Sequence, residues 1–162
     1  MKRILNLVLS LSVAACCHFL TADVCLASPA PESDLLAANS NFYAALNSMF
    51  KGDTKAMELA WSHSEDVSYM GPDGLRLLGW DAVRADWTLQ ASKRLGGAVQ
   101  FTDMRVQPGD TISVLSGIEV GENMVDGKPQ KVSIRATNVF RKEDGKWKMI
   151  AHHTDMLPFL VK

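Results

Sequence analysis

The sequence predicts an α+β domain in which helices gather on one face of an antiparallel sheet. Apolar residues recur at helical spacing from Asp34 to Phe50, and again after Asp53 and after Gly79. Period-two alternation with turn residues between the runs then dominates from Gln100 onward. The last two runs flank Glu143-Asp144-Gly145-Lys146, and Asp-Gly is a strong hairpin signal because both residues tolerate positive φ. Helices first and a meander afterwards is the order of an α+β fold.

The first helix, Asp34 to Phe50, carries Leu35, Ala38, Phe42, Ala45 or Leu46, and Met49 on its core stripe, with Ser33 or Asp34 as cap and Gly52 as stop. Asp53 caps a second, shorter helix that runs through Trp61. Val67 to Met70 and Leu75 to Leu78 flank Gly71-Pro72-Asp73-Gly74, a small hairpin. Gly79 opens a third helix, about Asp81 to Leu95, ended by Gly96-Gly97. Gln100 to Val106, Thr111 to Val120, Lys131 to Arg141 and the run from Trp147 are the strands of the meander.

Met1-Lys2-Arg3 precedes an apolar run from Ile4 to about Leu20, with a small-x-small stretch at Cys25-Leu26-Ala27. This is the pattern of a secretory signal peptide cut after Ala27, giving residues 1–27 as signal, 28–33 as a polar leader and 34–162 as the domain. A second reading is a lipoprotein signal, because Val13-Ala14-Ala15-Cys16 has the small residues that precede a lipidated cysteine. Both readings export the chain to the periplasm or beyond, and only lipidation at Cys16 would tie it to a membrane. All three cysteines (Cys16, Cys17, Cys25) lie in this segment, so the remainder has no thiol chemistry. Without Lys2, Arg3 and Asp23 there are 15 basic and 17 acidic residues, a net charge of −2 that offers nucleic acid no electrostatic attraction.

Strand alternation sorts the candidate site residues. Ile134, Ala136, Asn138 and Phe140 share one face, and Trp147, Met149, Ala151 and His153 share another; both are assigned inward because they hold the larger apolar residues. Asn138 and His153 are then polar groups on an apolar inner face. They are either a pocket floor, with Asn138 hydrogen-bonding and His153 as base or ligand contact, or a buried pair satisfied by backbone or water. Tyr69, Phe42, Trp61, Trp87 and Met149 either line an apolar pocket or fill a core. His63, His152 and His153 lack the spacing of a zinc site. With no phosphate loop or glycine-rich fingerprint either, no metal or cofactor is expected.

Phe42-Tyr43-Ala44-Ala45-Leu46-Asn47, the Gly52-Asp53 pair, Val67 to Gly74 with Gly79-Trp80-Asp81-Ala82-Val83 after it, and the closing hairpin occur in the order and spacing of SnoaL-like domains. On these motifs the chain resembles the SnoaL-like branch of the nuclear transport factor 2-like superfamily over nearly all of Asp34 to Asp155. The resemblance implies a cone-shaped, cystatin-like α+β barrel, its curved sheet wrapped around the helices, with a pocket at the wide end near Trp61 and Trp87. It also implies a homodimer through the outer sheet face bearing Arg135, Thr137, Ile150 and His152. The acid and base positions of ketosteroid isomerase fall here on Met70 or Gly71, Phe42 and Asn138, so that chemistry is not implied. Val139 to Trp147 is similar to the end hairpin of the association domain of calcium/calmodulin-dependent kinase. Three functions stay open: binding of a small apolar or amphipathic molecule, an isomerase, cyclase or hydrolase using His153, and homo-oligomeric assembly.

Overall fold

The computed structural model describes residues 30–161. The expected signal segment and cleavage point lie outside them. Helix α1 spans Ala30–Met49, so the expected leader is already helical from Ala30 onward. Its buried residues Leu35, Asn39, Phe42, Leu46 and Met49 follow the three-and-four spacing of one face. The helix ends as Gly52, at φ 99°, lets its N–H bond to Met49 O while Asp53 N–H bonds to Ser48 O, the paired closure that a left-handed residue permits.

Helix α2 spans Lys55–Ala60; its N-cap is Thr54, and Asp53, one residue earlier, supplies the side-chain acceptor, its Oδ1 taking the Lys55 N–H at 3.0 Å. Trp61 was expected inside this helix. It leaves the helix to bridge Met149, and Ser62 N–H bonds to Met149 O at 2.9 Å. Strands β1 (Ser68–Met70) and β2 (Arg76–Leu78) form the small hairpin, whose turn is tightened by Asp73 Oδ1 accepting from Leu75 N–H. Helix α3 spans Trp80–Lys93, and Gly96 and Gly97 at φ 65° and 73° carry the chain away from it.

The meander is β3 (Ala98–Gln107), β4 (Ile112–Val125), β5 (Lys128–Glu143) and β6 (Lys146–Thr154). Asp144 and Gly145, at φ 47° and 78°, make the expected hairpin turn. All six strands join one sheet in the order β2-β1-β6-β5-β4-β3, antiparallel except where β1 lies parallel to β6. The fold is therefore the expected α+β cone: helices followed by a mixed, curved and unclosed sheet.

One face assignment is corrected. Ile134, Ala136, Asn138, Phe140, Trp147 and Met149 are buried against the helices as expected. Phe140 pairs with Met149 but Val139 pairs with Ala151, so Ile150 is an extra residue in β6. A bulge of this kind reverses the alternation beyond it. His152 and Thr154 consequently point inward and are buried, while His153 is exposed on the outer face.

Candidate functional site

The inside of the cone holds a line of buried polar side chains drawn from four elements: Asn39 and Tyr43 on α1, Glu119 on β4, Asn138 on β5 and His152 on β6. Asn138 is completely buried and sits at the centre. Its Nδ2 donates to Asn39 Oδ1 at 2.8 Å and to Tyr43 Oη at 3.1 Å, and Tyr43 O–H donates to Glu119 Oε1 at 2.9 Å. Asn138 Oδ1 lies 2.6 Å from His152 Nδ1. A carbonyl oxygen has no proton to give, so this contact puts the imidazole proton on Nδ1. Nε2 is then the bare nitrogen, and it faces Glu119 Oε1 at 3.5 Å.

That separation would suit an ion pair, but burial opposes both charges. With the Glu119 side chain enclosed, its carboxyl is pushed up to about 7, against the smaller opposing effect of the Tyr43 hydrogen bond. Burial, with the neighbouring His153 charge adding to it, lowers His152 to about 3. The neutral pair, a protonated carboxyl beside an unprotonated nitrogen, leaves no buried charge. Near neutral pH it is Glu119 that titrates, while His152 stays unprotonated beside it.

Glu119 and His152 border a small interior cavity of about 40 Å³ together with Tyr69, Trp87, Gln90 and Asn123. Gln90 Nε2 donates to Tyr69 Oη at 3.2 Å and to Asp86 Oδ2 at 2.6 Å. Trp87 Nε1 is buried and has no hydrogen-bond partner among the described residues. Trp87 thus lines the cavity and carries a buried, unpartnered donor. The remaining lining is apolar, and no Lys or Arg is part of it. A larger, open groove of about 530 Å³ lies outside the cone between α1, α2 and the start of β6, but it is lined largely by alanines and lacks the buried polar cluster. Among the described residues no three His, Cys, Asp or Glu side chains are placed to hold a metal ion, and no helix is long and apolar enough to cross a membrane.

Residues 35–157 match the SnoaL-like domain family. The chain belongs to that family. No curated protein matches it. Among solved structures, it is similar to a dehydratase candidate of the nuclear transport factor 2-like family from Streptomyces avermitilis, with 22% identity and TM-score 0.69 over 80% of this chain and 99% of the other. It is also similar to a candidate calcium/calmodulin-dependent protein kinase type II association domain from Thiobacillus denitrificans, with 26% identity and TM-score 0.64 over 75% and 94%. A third, a nuclear transport factor 2-like protein with a cystatin-like fold from Novosphingobium aromaticivorans, has 15% identity and TM-score 0.61 over 80% and 83%. At these identities the likeness is one of fold.

Within this SnoaL-like domain, the residues expected at the site fall into three groups. Tyr69 and Trp87 line the cavity, and Asn138 stands behind it as the partner that orients His152. Phe42, Trp61 and Met149 are packed in the core beside it; the Phe42 ring centroid is 4.9 Å from that of His152 and 6.4 Å from that of Trp61. His153, expected as the base, lies instead over a shallow outer depression with Met70, Leu75 and Met156. His152 likewise leaves the outer face on which dimerisation was expected. Glu119, Asn39, Tyr43, Gln90 and Asn123 were not anticipated. For Glu119 a signal existed: Leu115, Gly117 and Glu119 alternate on one side of β4, and Glu119 pairs with inward-facing Ile134.

Proposed function

We propose that this SnoaL-like domain binds a small, neutral, largely apolar molecule bearing one carbonyl or hydroxyl group, seated with that group against Glu119 and His152. The observation that carries the reading is the largely apolar cavity with the Glu119–His152 pair in its wall and no cation in its lining. A neutral carboxyl donates to a carbonyl, and bare Nε2 accepts from a hydroxyl. A carboxylate ligand would meet no countercharge there. The test is quenching of tryptophan fluorescence by acetophenone and by benzoate at pH 6. Acetophenone is expected to bind and benzoate to fail, and Glu119→Leu should weaken acetophenone by roughly tenfold or more, the worth of one buried hydrogen bond. Preferential binding of benzoate, or no binding of either at millimolar concentration, would sink the reading.

A second reading is proton transfer on such a ligand, as in an isomerase or dehydratase. The Glu119 carboxyl, raised to about 7, favours it, since a group titrating near working pH can both give and take a proton. In that reading Glu119 and His152 take the acid–base role first considered for His153.

We also propose a homodimer through the outer sheet face, where Arg135, Thr137, Val139 and Ile150 leave a mixed surface without helices over it. Sedimentation at tens of micromolar should give a dimer, and Val139→Glu a monomer. An unchanged association state in the variant would remove this face from the interface. Export is proposed on the sequence of residues 1–27, and intact-mass analysis of secreted protein should find Ser28 at the start. A lipid-bearing Cys16 start would replace that cut while retaining export.

A further inference from the structure

Resting on the reading of the interior as a ligand site, we propose that the C-terminal segment from Asp155 to Val161 is a gate that must leave the mouth of the cone before a ligand can reach Glu119. Two of its side chains, Leu157 and Leu160, form part of the cavity wall, and Leu157 is buried. The other lining residues belong to helices and paired strands, to the turn at Pro72, or, as Phe50 and Leu95, to the connections directly after α1 and α3. Displacing those would break the sheet or unpack the core. The segment after Thr154 belongs to no helix or strand.

Its attachments are few. Beyond Asp155, the hydrogen bond from Leu157 N–H to Pro72 O, at 2.8 Å, ties its backbone to the cone among the described residues. Leu160 N–H and Val161 N–H turn back onto Leu157 O within the segment itself. At its root Asp155 N–H donates to Arg135 O and Asp155 Oδ2 accepts from Arg135 N–H, each at 3.1 Å, which fixes the hinge, while the ion pair to the 81% exposed Arg135 side chain adds little. Met156 and Val161 are exposed. Beyond its root at Asp155, a segment with a single backbone bond to the cone, held otherwise by the packing of Leu157, Phe159 and Leu160, opens at lower free energy than the paired strands and helices of the wall.

Volume makes opening necessary. The closed cavity of about 40 Å³ has room for a few waters. Pockets that enclose organic ligands are on the order of 300 Å³ or more. With the gate closed, the binding-competent form is a minor state, and apparent uptake scales with its population.

Stopped-flow tryptophan quenching by acetophenone tests the gate. The full chain carries Pro72→Cys and Leu157→Cys, whose hydrogen-bonded backbones lie within reach of a disulfide, with Cys16, Cys17 and Cys25 changed to Ser. The oxidised form is expected to take up acetophenone at least about tenfold more slowly than the same protein reduced, and Leu160→Ala about tenfold faster than the wild type. Equal rates in the oxidised and reduced forms, with binding intact, overturn the gate and leave the interior site standing with another way in. Absence of binding in the wild type, the reduced form and Leu160→Ala alike overturns the interior site and the gate together.

Discussion

Asn138→Ala is expected to lower the unfolding free energy by about 3 kcal/mol or more, the largest loss from a single polar side chain in this domain. Asn138 gives one bond each to Asn39 and Tyr43 and receives one from His152, all in a place without solvent. Its removal strands the His152 Nδ1 proton and the Asn39 carbonyl. Each buried group left unpaired costs about 1–3 kcal/mol, and the truncation leaves a void as well. Urea denaturation at pH 7 gives the number. Asn39→Ala should cost less, and the double variant should cost less than the two singles added, because they share one bond network. A loss under about 1 kcal/mol for Asn138→Ala, or strict additivity, would show that the polar line does not act as a unit.

Glu119→Gln and His152→Gln are expected to tilt the stability–pH curve in opposite directions. Glu119 has a folded value raised to about 7, so its protonated form is the one the native state favours. Its contribution is fully present below its ordinary value of about 4.5 and is lost as pH rises through 7, a change of about 3 kcal/mol. His152 is depressed to about 3, so its contribution is present above about 6.5 and is lost as pH falls toward 3. Burial is the leading cause of each shift, so each limb survives loss of the other group. Relative to wild type, Glu119→Gln should gain stability as pH rises from 4.5 to 7, and His152→Gln as pH falls from 6.5. Gln keeps an acceptor for the Tyr43 hydroxyl, which confines the first effect to charge. Melting curves between pH 4 and 8 decide it, and parallel curves for wild type and both variants would place both side chains in contact with solvent. If the ligand takes its hydrogen bond from the Glu119 carboxyl, acetophenone binding should also fall above pH 7.

Much of this domain was legible in the chain because the signals are local. The apolar spacing of α1, the Asp53 cap, the turns at Pro72-Asp73-Gly74 and Asp144-Gly145, and the inward set from Ile134 to Phe140 each depend on residues a few positions apart, and each stands as expected. Asn138 and the aromatic residues were likewise visible as inner-face groups. What they do there was not, since Tyr69 and Trp87 reach the cavity while Phe42, Trp61 and Met149 fill the core.

The polar end of the site was decided by pairing between distant strands. Trp147-Lys148-Met149-Ile150 carries no mark of a bulge, because an extra residue in β6 exists only relative to the register of β5. That one residue exchanges His153 for His152 on the inner face. Glu119 owes its raised carboxyl to enclosure by α1 and the sheet, and it meets Tyr43, 76 positions earlier, only after both are in place. The sequence by itself determined which segments are helix and strand and which side of most strands is apolar. The tertiary structure alone decided which histidine faces inward and which carboxyl is raised toward neutrality, because register and burial are relations between segments and are written in none of them singly.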